Sequence, residues 1–183
     1  MGVTAALAIG ATGAGCGVWV RGPELPAHEP AASVYIADYG RHSTLILPRG
    51  DGSATEYAYG QCDWFALGKQ EPWRGPLVLL TPSRATLGLR HLPREPASAA
   101  DLERQLGVPT AYEVRVRRGE VERLRRGLDD LFAAGADRAV HNADFGLDFV
   151  PVEGVYWLPY NCNKAVARWM GDLDCRVSGL AVL

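Results

Sequence analysis

The amino-acid sequence predicts an α+β domain in which an antiparallel sheet packs against helices. Two observations support this prediction. The first half of the chain contains short runs that alternate in character and end at turn residues, a pattern typical of strands joined by tight turns. The second half contains apolar residues at helical spacing, and near its end another helix is expected to begin at a cysteine.

The predicted strands follow from the alternation. They cover residues 34–37, 43–47, 55–59, 84–92, 111–117 and 175–183. In the third of these strands, Glu56 and Ala58 are expected on one face of the sheet, because successive side chains point to opposite faces. Thr55, Tyr57 and Tyr59 are expected on the other face.

The helical and irregular segments are predicted from the same patterns. A helix after Gly119 carries its apolar residues three or four positions apart, namely Val121, Leu124, Leu128, Leu131 and Phe132. Asp63 is expected to cap a short helix, and residues 77–80 fit either a helix or a strand. Residues 135–160 show little periodicity and are interpreted as a long aromatic loop.

Length and composition limit the classes of function that are expected for this chain. The chain has 183 residues, of which 48% are hydrophobic, and this is enough for one domain with a substantial core. The formal net charge of −2 does not favour a nucleic-acid partner. The sequence has no nucleotide-binding loop, and the chemistry considered below requires no metal, so we expect neither a cofactor nor a metal ion.

The first 20 residues carry no charged side chain, and residues 1–20 are interpreted as a signal, lipoprotein or membrane-anchor segment. Small residues lead into Cys16, the predicted lipidation site, and an uncleaved anchor is the alternative. Residues 21–32 are rich in proline and predict an extended linker, followed by the folded domain at residues 33–183. This organisation predicts an extracytoplasmic domain, associated with a membrane of the cell envelope.

Cys162 is expected in the first turn of a helix. Asn161 is a favourable N-cap, and Pro159 stops any preceding helix. At a helix N terminus, the helix dipole and unpaired backbone N–H groups favour the thiolate, which is the nucleophilic form of cysteine. The same N–H groups can bind the oxyanion that forms when a thiolate attacks a carbonyl. Cys162 is therefore the candidate nucleophile.

Thiolate chemistry also needs a base, and histidine is the usual one. His42 is the leading candidate because it stands at the start of a predicted strand, which is a rigid mount. Glu56, on the neighbouring strand, is the candidate third residue that would orient the imidazole. His91 on another predicted strand, His28 in the linker and His141 in the predicted loop are the alternatives.

Disulfide formation is the competing role for the cysteines. In an oxidising compartment, a disulfide that uses Cys162 would remove the nucleophile. Cys62 and Cys175 are the first pair to consider, since neither begins a predicted helix.

The chain contains a histidine motif, RHSTLILP at residues 41–48, and a later cysteine motif, YNCNKAVARW at residues 160–169. Their order resembles the circularly permuted branch of the papain-like, NlpC-type superfamily, in which the histidine strand precedes the cysteine helix. More closely, residues 33–183 resemble a family of uncharacterised bacterial envelope proteins, and residues 59–65 and 73–82 fit its intermediate motifs. The resemblance implies a permuted papain-like fold with the nucleophile at a helix N terminus.

Carried onto this sequence, the resemblance assigns Cys162 as the nucleophile, His42 as the base and Glu56 as the third residue. Arg41 stands where the family usually has an aromatic residue, a departure that concerns substrate preference more than chemistry. The superfamily includes acyltransferases and peptidases, so the resemblance implies acyl or amide chemistry through a covalent thioester.

The sequence therefore predicts a thiol-dependent hydrolase or acyltransferase at the cell envelope. Asn161 and Asn163 flank the nucleophile and Tyr156, Trp157 and Tyr160 precede it, so these five are the candidate substrate-binding residues. One alternative is a binding or scaffold module that keeps the fold without turnover. Another is a peptidoglycan endopeptidase, which would act on a peptide.

The tether and the aromatic residues favour a lipid or lipoprotein acyl group over a soluble peptide. The proline-rich linker extends by about 30 Å at most, so the domain is expected close to a membrane surface. Some of the aromatic residues of the predicted loop are expected to line a hydrophobic groove that leads to Cys162, and the candidates are Phe145, Phe149, Tyr156, Trp157 and Tyr160.

Overall fold

The computed structural model of the protein describes residues 7–8, 19–40, 42–69 and 80–178. Its strands are β1 (Leu7–Ala8), β2 (Trp19–Arg21), β3 (Ala31–Asp38), β4 (Ser43–Pro48), β5 (Ala54–Gln61), β6 (Ser83–Leu92), β7 (Thr110–Arg117), β8 (Val140–Asn142), β9 (Leu147–Tyr156) and β10 (Arg176–Ser178). Seven of them form one sheet in the order β7-β3-β4-β5-β6-β9-β8, and all neighbours in it are antiparallel. The predicted α+β class with an antiparallel sheet is confirmed.

Helices cover both faces of this sheet. The α-helices are α1 (Ala99–Leu106), α2 (Arg118–Ala133) and α3 (Cys162–Asp172), and a π-helical turn (Cys62–Ala66) and a 3-10 turn (Ala136–Arg138) accompany them. Helices α2 and α3 pack on the main hydrophobic core, and we call their side of the sheet the α2/α3 face. Helix α1 and the π-helical turn cover two smaller clusters on the opposite side, which we call the α1 face.

Strand β5 shows how alternation in the sequence builds the two faces. Tyr57 and Tyr59 join the core of the α2/α3 face. Ala58 belongs to the cluster under the π-helical turn, and Glu56 points to the same side. All eight residues of β5 are buried, because it pairs with β4 on one side and β6 on the other and is covered on both faces. The predicted alternation of this strand is confirmed.

The interpretation of residues 135–160 as one long loop is wrong, because they contain the 3-10 turn, β8 and β9. Pro151 and Gly154 interrupt the alternation that would have identified β9. Thr86 of β6 pairs with Pro151, whereas Arg84 pairs with Val155. The register shift between these two pairs leaves a bulge in β9, and a strand with a bulge has no regular period of two.

Two further elements differ from the prediction. The sequence does not predict α1, whose buried residues are Asp101 and Leu102, because so short a buried face gives little helical periodicity. The short helix expected at residues 63–67 is the π-helical turn Cys62–Ala66. Its N-cap is Gln61, whose side chain accepts a hydrogen bond from the Trp64 N–H, and Asp63 lies inside the turn.

Some predictions fall outside the described residues. They concern most of the N-terminal segment with Cys16, Arg41, residues 73–79 of the second intermediate motif and the ambiguous run, and residues 179–183 of the last predicted strand. Residues 176–178 of that strand form β10. Strands β1, β2 and β10 form a separate three-stranded antiparallel sheet.

Within the described ranges, no helix is both long enough and apolar enough to cross a membrane.

Close packing at Gly88 provides a test of the sheet. A Cβ atom on Gly88 would lie 2.5 Å from Cε1 of Phe149 and 3.2 Å from Cβ of Ala58. Gly88→Ala is therefore expected to lower the free energy of unfolding by about 1–3 kcal/mol through overpacking, as measured by urea denaturation. Gly127→Ala in α2 is the control, since open space surrounds its Cβ position among the described residues. Equal losses in the two variants would contradict this packing.

Candidate functional site

Cys162 is the first residue of α3, as the sequence predicts. Asn161 has an extended backbone before the helix, and its side-chain oxygen accepts a hydrogen bond from the Lys164 backbone N–H at 3.1 Å. This cap fixes the first turn and so fixes the position of the thiol. Cys162 is 3% exposed, between α3 and the sheet.

Several hydrogen-bond donors converge on the Cys162 sulfur. The Tyr156 hydroxyl donates to Sγ at 3.9 Å, and the backbone N–H groups of Ser43, Asn163 and Cys162 also interact with it. Burial raises the pKa of the Cys162 thiol above its ordinary value, while these donors act in the opposite direction by favouring the thiolate. Because burial is the larger effect, the thiol is protonated at neutral pH in this geometry.

Asn163 and Ser43 connect the thiol to the sheet. Asn163 Oδ1 accepts a hydrogen bond from the Ser43 hydroxyl at 2.9 Å, and it also accepts one from the Cys162 thiol at 3.8 Å. Ser43 is the first residue of β4, so the N terminus of α3 is held against the start of that strand. The sequence reasoning did not identify Ser43, although its position directly after His42 was a signal.

His42 ends the turn between β3 and β4, in which the Tyr39 N–H donates to the His42 carbonyl at 2.8 Å. Its ring packs against Phe65, with 4.6 Å between the ring centroids. The residue is partly exposed, but both ring nitrogens are buried, and neither has a hydrogen-bond partner among the described residues. Burial lowers the pKa of His42 to about 4, so the ring is neutral at neutral pH.

His42 and Cys162 do not form a hydrogen bond in the described part of the chain. Along β4, Leu45 belongs to the core of the α2/α3 face and Ile46 to the cluster under α1. Ser43 lies on the side of Leu45 and contacts α3, whereas the His42 ring packs against Phe65, which belongs to the cluster on the α1 face. The candidate base and the candidate nucleophile therefore lie on opposite sides of the Ser43 backbone.

Glu56 is fully buried on the α1 face, and the structure does not bring it to His42. Oε1 accepts hydrogen bonds from the Thr44 hydroxyl at 2.7 Å and the Tyr39 hydroxyl at 2.8 Å. Oε2 accepts a hydrogen bond from Arg90 Nε at 2.8 Å. The carboxylate thus pairs with Arg90, which sequence reasoning did not identify because no local pattern connects the two residues.

The five aromatic candidates for the groove lining are divided between different parts of the molecule. Tyr156 and Tyr160 lie on the α2/α3 face, near Cys162. Phe145 and Phe149 pack on the α1 face, in the cluster of the π-helical turn. Trp157 is 39% exposed and pairs with Tyr160 through an isolated bridge.

The three alternative bases either contact other side chains or are exposed to solvent. His91 Nδ1 is 3.4 Å from the Thr55 hydroxyl, and His141 Nδ1 is 2.7 Å from the Asp148 carboxylate. His28 is exposed in the linker. None of these imidazoles is a hydrogen-bond partner of Cys162 in the described residues.

Disulfide formation and metal binding are the competing uses of these side chains. The three described cysteines, Cys62, Cys162 and Cys175, are buried free thiols, so the disulfide alternative is not formed here. Within the described ranges, no three His, Cys, Asp or Glu side chains lie together as a ligand set for a metal ion.

Comparisons with known proteins give no match to a family model, a curated protein or a solved structure. The fold therefore defines the class of the protein only as an α+β domain, an antiparallel sheet covered by helices. Within it, the candidate functional site is the set of polar contacts around Cys162.

Proposed function

We propose that the protein is a thiol enzyme of the cell envelope, which cleaves or transfers an acyl or amide group through a thioester on Cys162. A circularly permuted papain-like fold is part of this proposal. The observation that carries it is the convergence of donors on the Cys162 sulfur at the N terminus of α3. A nucleophilic thiolate and the oxyanion that its attack creates are both stabilised by such donors.

The donors can act at two stages of the reaction. Before attack, the backbone N–H groups of Ser43 and Asn163 stabilise the thiolate. During attack, Sγ bonds to the carbonyl carbon, and the Tyr156 hydroxyl can donate to the oxyanion that forms on the carbonyl oxygen. Burial, together with the neighbouring Cys162, raises the pKa of Tyr156, so this hydroxyl keeps its proton and remains a donor at neutral pH.

His42 is proposed as the base, acting after its side chain moves to the Cys162 side of the turn between β3 and β4. In its buried position the ring is neutral but a weak proton acceptor, because burial lowers its pKa to about 4; leaving that position removes the cause of the lowering and makes the ring a stronger base. The movement is short in the chain, since His42 is bonded directly to Ser43, whose N–H contacts the thiol.

Selective acylation of Cys162 tests the proposal. Incubation with a p-nitrophenyl ester, followed by peptide mapping by mass spectrometry, is expected to give an adduct on Cys162 at least tenfold faster than on Cys62 or Cys175. Those two cysteines are matched internal controls, because burial also raises their thiol pKa. His42→Ala is expected to slow the acylation of Cys162 by about 10²–10⁴-fold, the usual contribution of a general base.

Two results would count against the enzyme. One is equal acylation of the three cysteines, and the other is acylation of Cys162 at an unchanged rate in His42→Ala. Either would show that Cys162 is no more than a buried thiol with ordinary reactivity.

A binding module without turnover is the second candidate, and the position of His42 favours it. His42 lies across the Ser43 backbone from Cys162, and the thiol is protonated at neutral pH. In such a module, Cys162→Ala would bind its ligand as the unaltered protein does, and the unaltered protein would form no acyl adduct.

A further inference from the structure

A groove runs along α3 on the α2/α3 face, close to Cys162. Its walls come largely from the two helices and include Leu124, Leu128, Leu131, Ala165 and Trp169. Its volume of about 410 Å³ is within the range of small-ligand pockets. The groove follows α3 from Ala165 to Asp172, a length of about 10 Å at the helical rise.

Tyrosines lie between the groove and the thiol. Tyr160 and Tyr59 both line the groove, and their rings pack edge to face with centroids 5.5 Å apart. Tyr59 also packs against Tyr156, with centroids 6.0 Å apart, and the Tyr156 hydroxyl lies 3.9 Å from Cys162 Sγ. Ala165 is three residues after Cys162 and so lies on the same face of α3. The groove therefore begins about one helical turn from the sulfur.

The lining defines the chemistry of the ligand. The buried lining residues are apolar or aromatic, while the charged ones, Glu153, Arg168 and Asp172, are exposed at the rim. The side chains of Leu124, Leu128 and Leu131 offer no polar atom, so a polar group placed against them would lose its water without gaining a partner, whereas Tyr59 and Tyr160 carry hydroxyls in the lining. An unbranched apolar chain loses nothing in this way and gains the burial of its methylene groups.

The bulge of β9 shapes the remaining wall. Val152 and Gly154 line the groove at the point where the pairing of β9 with β6 is irregular. Gly154 has φ of +135°, a conformation that residues with a Cβ rarely adopt, and a Cβ there would lie 3.2 Å from the Tyr59 hydroxyl. Bulges of this kind are common beside functional sites, where they redirect part of a strand.

We propose that this groove binds an unbranched acyl chain of the substrate, with the reacting carbonyl at the Tyr160 end, which is the end nearer to Cys162. The reaction part rests on the proposed function, whereas binding of the chain does not require Cys162. In the reaction, Sγ bonds to the acyl carbonyl carbon as the ester C–O bond breaks, and the alcohol leaves with the proton of the thiol. A phospholipid and an acylated lipoprotein carry the same acyl group, so both are candidate donors.

Binding is tested first, on full-length Cys162→Ala, by calorimetric titration with octanoate and hexanoate. Octanoate is expected to bind on the order of tenfold more tightly, because each buried methylene is worth roughly fourfold in affinity. Leu131→Trp in the same background fills the mouth of the groove and is expected to weaken octanoate binding at least tenfold. Val155→Trp is the matched control, since Val155 is exposed to a similar degree and does not line the groove.

The reaction is tested with p-nitrophenyl octanoate and acetate on the protein with Cys162 intact. The rate of Cys162 acylation is expected to favour octanoate, and Leu131→Trp is expected to reduce this preference at least tenfold with little change for acetate. Phospholipid vesicles and a diacylated lipopeptide, given separately, identify the donor by the mass of the adduct.

The outcomes separate the two proposals. Acylation of Cys162 by both esters with no dependence on chain length, or no octanoate binding, overturns the groove assignment and leaves the thiol enzyme standing. Octanoate binding that Leu131→Trp abolishes, without any acylation of Cys162, supports the groove and overturns the enzyme. Loss of binding in Val155→Trp equal to that in Leu131→Trp also counts against the groove.

Discussion

Glu56→Ala is expected to lower the free energy of unfolding by about 3 kcal/mol, the lower end of the range for breaking a buried ion pair. The Glu56 side chain is 0% exposed, and its partner Arg90 is 25% exposed. Without the carboxylate, the guanidinium loses its charge partner, and the hydroxyls of Thr44 and Tyr39 lose their acceptor. Arg90 can turn partly toward solvent, which is why the lower end applies. Urea denaturation followed by tryptophan fluorescence measures the loss.

Glu120→Ala is the control for this prediction. Glu120 pairs with Arg123, whose side chain is 71% exposed, in the first turns of α2, and a pair with such a solvent-exposed partner contributes about 1 kcal/mol or less. Glu56→Gln adds information, because it keeps an acceptor for the two hydroxyls and removes only the charge, so an intermediate loss is expected. A loss below about 1 kcal/mol for Glu56→Ala would mean that the buried pair is not formed in solution.

Glu56 has a structural role in this geometry, which can be distinguished by experiment from its predicted catalytic role. Its hydrogen bonds go to Tyr39, Thr44 and Arg90, so in this geometry it supports the α1 face of the sheet. The sequence-based hypothesis that Glu56 orients His42 remains a prediction for the rearranged turn. Folded Glu56→Ala that acylates Cys162 at the rate of the unaltered protein would make the residue structural only.

Local sequence determines much of the sheet, and this is why part of the fold could be predicted. The alternation of β5 places Tyr57 and Tyr59 on one face, and the tight turns between β3, β4 and β5 leave little choice of pairing. Strand β9 could not be predicted, because Pro151 and Gly154 remove its period. Helix α1 could not be predicted because its buried face is only about two turns long.

The candidate site shows the same limit. The cap at Asn161 depends on neighbours in sequence, so the position of Cys162 at the start of α3 could be predicted. The side of β4 on which His42 lies depends on which face α3 covers. Both faces of β4 are buried under apolar residues, Leu45 on one and Ile46 on the other, so the pattern of the strand does not distinguish them.

Acidification from pH 7 to pH 4 is expected to remove up to about 3 kcal/mol of stability through His42. Burial lowers the pKa of His42 from 6.5 to about 4 in the folded protein. Above pH 6.5, the ring is neutral in both states and contributes no pH dependence. Between the two pKa values, the unfolded chain binds a proton at His42 that the folded protein does not bind, so unfolding becomes more favourable as the pH falls. Below pH 4 the loss is complete.

Urea denaturation at a series of pH values measures this contribution, with His42→Phe as the test variant. Phenylalanine keeps a ring against Phe65 and removes the titrating group, so its stability is expected to fall by about 3 kcal/mol less than that of the unaltered protein between pH 7 and pH 4. His28→Gln, in the exposed linker, is the control and should follow the unaltered protein. Parallel curves for His42→Phe and the unaltered protein would mean that the imidazole is hydrated in the folded state. Such a ring would have a pKa near the ordinary value for histidine and would be a stronger base than the buried ring.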